Sequence, residues 1–162
     1  MRGDAISKSW RVGACVVAAL LACGCQAPGG PQALSSAAPA VAPGTARIWI
    51  YRDYEPYVSR NIAPVSLNGS VAGYAPPDGS AFYRDVAPGR YHITAASSGQ
   101  DVNQDRSVEL GPGQQAFVKI LTSDTWDSGG LGGSFRRDTY YVSLVPPQVA
   151  QGELAARPLR GG

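Results

Sequence analysis

Phe82-Tyr83-Arg84-Asp85-Val86-Ala87-Pro88-Gly89-Arg90-Tyr91-His92-Ile93-Thr94-Ala95 decides the fold class. Two runs of alternating apolar and polar residues flank Ala-Pro-Gly. A repeat of two is that of a strand burying one face. Aromatic and β-branched side chains dominate both runs, as strands prefer. Proline pre-sets its own φ and glycine adopts conformations closed to other residues, so the pair reads as a turn. The segment predicts a hairpin with Phe82, Val86, Tyr91 and Ile93 toward a core.

The same grammar recurs on both sides. Arg47-Ile48-Trp49-Ile50-Tyr51 alternates, and Val65 to Tyr74 is two short runs around Asn68-Gly69, a strong signal for a type I′ turn. Ser107 to Leu110 turns through Gly111-Pro112-Gly113 into Ala116 to Leu121, and Asp138 to Val145 closes the series. Frequent turns without a helical pattern predict an all-β fold: a single small antiparallel β-sandwich of about seven to eight strands. Its expected core is Ile48, Ile50, Leu67, Phe82, Val86, Tyr91, Ile93, Val108, Leu110, Val118, Ile120, Val142 and Leu144.

The N-terminus follows another logic. Arg2, Lys8 and Arg11 against Asp4 make a basic start, and Val12 to Ala22 is free of charge. That is the pattern of an export signal, and the apolar run is too short to span a bilayer, which needs about 20 residues. Gln26 to Thr45 is uncharged and rich in Ala, Pro, Gly and Ser, the composition of a tether without a core of its own. Residues 1–22 are therefore expected to be a signal peptide, 23–45 an anchored linker, 46–145 the β-domain and 146–162 a flexible tail.

The three cysteines, Cys15, Cys23 and Cys25, all lie in the leader or at its end. The β-domain can therefore hold no disulfide, thiol nucleophile or cysteine metal site. The net charge of +2 belongs to the leader, and the chain after it is neutral. Basicity thus gives no reason to expect nucleic acid as a partner.

Leu20-Leu21-Ala22-Cys23-Gly24-Cys25 resembles the lipobox of bacterial lipoproteins. The resemblance implies lipidation at Cys23, with Cys25 the alternative, and attachment to the membrane through that lipid. Two or more acyl chains suffice for stable anchoring. The absence of Asp after either cysteine implies the outer membrane, on its periplasmic face. Phe82 to Ile93, with Ala46 to Arg52 and the Val65–Gly73 turn, resembles prealbumin-like and carboxypeptidase-regulatory-like modules. It is also similar to envelope lipoproteins built on a domain of unknown function. These families imply a sandwich and a location, without an active site.

Candidate chemistry is sparse. His92, the only histidine, stands out of phase with Tyr91 and Ile93 and is expected on the outer face. No Gly-x-Ser-x-Gly elbow accompanies it, so a hydrolase is the weakest reading. Asp101-Val102-Asn103-Gln104-Asp105 spaces oxygens as calcium loops do, but Arg106 stands where the turn glycine belongs. Asp124, Trp126, Asp127, Arg136 and Arg137 flank a glycine-rich stretch and form a candidate binding loop, because Trp and Arg anchor interfaces. Tyr54 and Tyr57, beside Tyr51, Arg52 and Arg60, form a second aromatic–basic loop; such rings could stack on a glycan or simply rim the fold. The expectation is a non-catalytic, lipid-anchored envelope module with no cofactor and no metal. Its partner would be another envelope protein, or carbohydrate such as peptidoglycan.

Overall fold

The computed structural model describes residues 38–129 and 133–160, with the backbone alone for 125–129 and 133–136. Cys23 and Cys25 lie outside the described residues. The elements are β1 Ala46–Arg52, β2 Ala63–Leu67, β3 Ser70–Ala75, β4 Ala81–Val86, β5 Gly89–Ala95, β6 Asp105–Leu110, β7 Gln115–Gly129 and β8 Gly133–Leu144, then a helix, α1, Pro147–Leu154. Two four-stranded sheets, ordered β4-β1-β7-β8 and β3-β2-β5-β6, face each other as an all-β sandwich. Pairing is antiparallel except between β1 and β7, which run parallel from Arg47 beside Gln115 to Arg52 beside Ile120.

Inward residues of both sheets make the main core. Ile48, Ile50, Phe82, Val118, Ile120 and Val142 come from one side, and Val65, Ile93, Ala95 and Leu110 from the other. Leu67, Val86, Tyr91 and Val108 pack against it, half-buried. Leu144 departs from its expected place. It is 38% exposed and lines, with Val108, Leu110 and Ala116, an open cleft of about 400 Å³ where the sheets part. Asn68 and Gly69, at φ 49° and 81°, form the two-residue turn joining β2 to β3.

The opening segment corrects the hairpin expectation. β4 pairs with β1 in one sheet, while β5 pairs with β2 and β6 in the other. Ala87 and Pro88 therefore carry the chain across the sandwich as an arch. Gly111 to Gln114 does the same between β6 and β7. Alternation shows which side chains share a face; it is silent on which strand lies alongside.

The tail and linker expectations also change. Residues 146–162 were expected to be flexible. Instead α1 lays Ala150 and Leu154, both buried, on Trp49, Tyr51, Ala81 and Phe117, which cover the outer face of the first sheet. Proline at the first helical position suits the start of α1, since the missing N–H would have no partner there. Beyond the helix, Ala81 N–H donates to Pro158 O and Arg160 N–H to Ala81 O, extending the sheet edge. Residues 38–45, assigned to the tether, also belong to the folded body. Ala38 packs against the same aromatic layer, and Pro39 O accepts from Arg47 Nη1 at 2.6 Å. Every residue of β1 is buried, as expected of a strand covered on both faces.

Charged side chains fasten this outer layer. Arg47 donates to both oxygens of Asp85, at 2.6 and 2.9 Å, and its guanidinium lies 4.0 Å from the Tyr83 ring centre. Lys119 Nζ is 3.0 Å from both Asp53 and Glu153, Tyr51 Oη donates to Glu153 at 2.7 Å, and Arg157 binds Asp53. Burial drives the Tyr51 hydroxyl far above the ordinary tyrosine range, with Glu153 adding to the shift.

Candidate functional site

The loops gather at the end of the sandwich where β1 finishes. Beyond Arg52 the chain enters the segment 53–62, and segment 76–80 joins β3 to β4 beside it. Tyr54 bridges to Asp78, and Glu55 N–H donates to Pro77 O at 3.0 Å. The segment 96–104 between β5 and β6 reaches the same end. Ser98 N–H donates to Asp138 O at 3.1 Å, Tyr140 N–H to Ser97 Oγ at 2.7 Å and Val142 N–H to Asn103 O at 3.0 Å. These bonds cover the open edge of β8, which otherwise would offer itself for pairing.

At this end β7 and β8 continue together past the last residue of β1 as a two-stranded ribbon. Its register runs from Leu121 opposite Tyr141 to Gly129 opposite Gly133. The candidate binding loop around the glycine-rich stretch is thus paired strand up to Gly129 and from Gly133, and residues 130–132 lie outside the description. Asp124 stands opposite Asp138, Thr125 opposite Arg137, Trp126 opposite Arg136 and Asp127 opposite Phe135. Backbone alternation places Trp126 and Arg136 on one face of the ribbon and Asp127 and Arg137 on the other. By register the five candidates divide between the two faces. The side chains of Trp126, Asp127 and Arg136 lie outside the described residues.

The second candidate loop divides as well. Tyr51 and Arg52 are fully buried in β1, whereas Tyr54 is 72% and Tyr57 91% exposed, with Ile62 exposed nearby in sequence. The underside of this loop is fixed. Ser59, buried, donates from Oγ to Asp138 Oδ2 at 2.7 Å, and Asn61 Nδ2 donates to the same oxygen. Arg52 donates from Nε to Glu55 at 3.2 Å and from Nη1 to Asn61 O at 2.9 Å. The two candidate regions, distant in sequence, therefore meet at Asp138, at the base of the ribbon.

Sequence reading missed Arg52, Ser59, Asn61, Asp138 and Tyr140 as a group. The signal was present in part. Arg52 continues the inward series Ile48, Ile50, and Asp138 and Tyr140 precede Val142 in the same phase. A polar residue on an inward phase needs a buried partner, and the 53–62 loop supplies it.

The remaining candidates are engaged locally. His92 is exposed and its Nε2 lies 2.8 Å from Asp105 Oδ2. Asp101 accepts from Val102 N–H and from Tyr141 Oη at 2.8 Å, and the Tyr141 bond holds its carboxyl below the ordinary range. Asn103 Oδ1 accepts from Arg106. Among the described residues no three His, Cys, Asp or Glu side chains converge as metal ligands, and no helix is long and apolar enough to cross a membrane. A groove of about 170 Å³ runs between residues 38–41 and α1, floored by Trp49, Phe117 and Arg47. No family model matches the chain, and a search of curated proteins found no match.

Proposed function

We propose that this chain is a lipid-anchored module of the bacterial cell envelope that holds another envelope protein through the loop end of its sandwich. The anchor reading rests on the basic leader, the apolar run and the lipobox-like Cys23, with Cys25 as its alternative. It places the protein on the periplasmic face of the outer membrane. The binding reading is carried by one observation: Tyr54 and Tyr57 project into solvent from a loop whose underside is fastened to Asp138 and Arg52. Aromatic residues on a pre-ordered loop contribute contact area at low entropic cost.

Two experiments test the two halves. A fatty-acid probe should label the wild type and fail to label the double variant Cys23→Ser, Cys25→Ser; equal labelling overturns the anchor. A photo-crosslinker at Tyr57 should capture a discrete partner in cells, while one at Glu109, exposed on the opposite sheet, should not. Equal capture from both positions, or none from Tyr57, overturns the interface. The paired exposed tyrosines favour a glycan as the second reading; co-sedimentation with peptidoglycan, abolished by Tyr54→Ala, would select it over a protein partner.

A further inference from the structure

The inner face of the first sheet changes chemistry at the loop end. Ile48 and Ile50 lead to Arg52 on β1, Val118 and Ile120 to Thr122 on β7, and Val142 to Tyr140 and Asp138 on β8. Register places Arg52 beside Ile120, Thr122 opposite Tyr140 one rung further out, and Asp138 beyond that. The apolar core thus ends in a polar layer roofed by Glu55, Ser59 and Asn61. Arg52, Ser59, Asp138 and Tyr140 are each more than nine-tenths buried.

Four sealed polar atoms among the described residues lack a hydrogen bond of good geometry within the protein: Arg52 Nη2, Thr122 Oγ1, Asp138 Oδ1 and Tyr140 Oη, the last within reach of Ser59 and Arg52. All four belong to this layer. Arg52 stands 5.3 Å from the Tyr140 ring centre, so the groups are neighbours. Unsatisfied buried polar atoms are rare and costly in native proteins, so each of these needs a partner. Arg52 requires an acceptor and Asp138 a donor; the two hydroxyls do either. A cation would meet the Arg52 guanidinium, and an anion would meet Asp138 and Glu55. Water supplies both functions without charge and is the smallest molecule that does so.

We propose that this layer is a buried hydration site, in which one or more ordered water molecules bridge Arg52, Thr122, Asp138 and Tyr140. The site ties the end of β1 to the base of the ribbon and holds the floor under the 53–62 loop. It does not depend on the anchor or on the identity of any partner. Internal waters of this kind make about three hydrogen bonds and are costly to remove.

Crystals of the full chain that resolve solvent decide the matter. Density for a water about 2.7–3.2 Å from at least two of the four atoms is expected. A dry layer, or density for a larger molecule, overturns the proposal. Urea titration gives a second reading. A bridged hydroxyl is stabilising, so Tyr140→Phe should lower the folding equilibrium constant by about fivefold to tenfold, and Thr122→Val should act in the same direction. A dry hydroxyl is a burden, so an unchanged or raised constant in both variants overturns the hydration site.

Discussion

Residues 146–162 read as a flexible tail in the sequence, whereas the structure packs 147–160 onto the fold, and a truncation separates the two. Leu154 is buried under the chain it helps to cover, next to Trp49, Tyr51 and Phe117. Leu154→Ala removes buried carbon from the edge of a layer, where partial collapse is possible. The expected loss is therefore about 2–3 kcal/mol, the lower part of the usual range. At about 2 cal/mol/K per residue of unfolding entropy, that corresponds to a Tm lower by about 8–12 °C. Deleting Pro147 to Gly162 also uncovers part of the three aromatic rings and leaves Lys119 and Tyr51 without Glu153. Roughly 200 Å² of newly exposed apolar surface at about 25 cal/mol/Å² gives a loss of about 5 kcal/mol. That is a large share of the 5–15 kcal/mol holding a typical domain together. Urea unfolding of the full chain, followed by tryptophan fluorescence, reports both changes, since Trp49 lies beneath the helix. A deletion variant whose midpoint matches the wild type would refute the packing of α1 and restore the flexible tail.

Three further outcomes follow from other contacts. A Cβ on Gly73 of β3 would stand 2.5 Å from Phe82 Cε2 across the sandwich, so Gly73→Ala should cost about 1–3 kcal/mol in urea titration, and Phe82→Leu should recover part of it; a neutral Gly73→Ala would deny that β3 faces β4. Gly69→Ala forces a φ of 81° on a residue with a side chain and should cost about 1–2 kcal/mol by the same measurement, with no effect expected only if the turn changes type. Among the carboxyls that lie below their ordinary range are Asp85, through its bonds from Arg47, and Asp53 and Asp78, where the upward push of burial is outweighed by bonds from Arg157 and Lys119, and from Ser80 and Arg160. A group whose folded value is depressed contributes in full above its unfolded value near 4 and loses that contribution as pH falls through the folded value. Urea midpoints should be level from about pH 7 to 5 and drop below about pH 4, with a shallower drop in Asp85→Asn; a midpoint that rises on acidification contradicts the assignment.

The sandwich was legible because alternation is local. Ile48 and Ile50, Val118 and Ile120, and Tyr91 and Ile93 each announce a buried face from within a few residues. Pairing was not legible, because Phe82 to Ala95 has the same alternation whether its halves lie side by side or on opposite sheets. The outer layer was missed for a related reason. Trp49, Tyr51 and Phe117 occupy outward phases, and only the arrival of Ala150 and Leu154 from the C-terminus makes them core. Of the candidate site, the placement of Tyr54 and Tyr57 together in one loop was legible. Their union with the ribbon through Asp138 was not, since Ser59 and Asp138 are brought together across the whole middle of the chain.

The two ends of the sandwich differ in how much chain they carry. One end turns through Asn68-Gly69, Ala87-Pro88 and Gly111 to Gln114, short connections whose conformations are set by glycine, proline and asparagine. Nothing longer is needed to pass from strand to strand. The other end carries segments 53–62, 76–80 and 96–104 and the ribbon, far more chain than connection requires. Extra loop has an entropic cost, offset here by buried bonds to Asp138 and from Arg52. A fold that orders long loops from beneath while leaving Tyr54 and Tyr57 in water keeps a shaped apolar surface exposed against the hydrophobic effect. Selection for stability alone would shorten such loops or bury their rings. The proposed contact surface rests on this arrangement, and the crosslinking comparison of Tyr57 with Glu109 is its test.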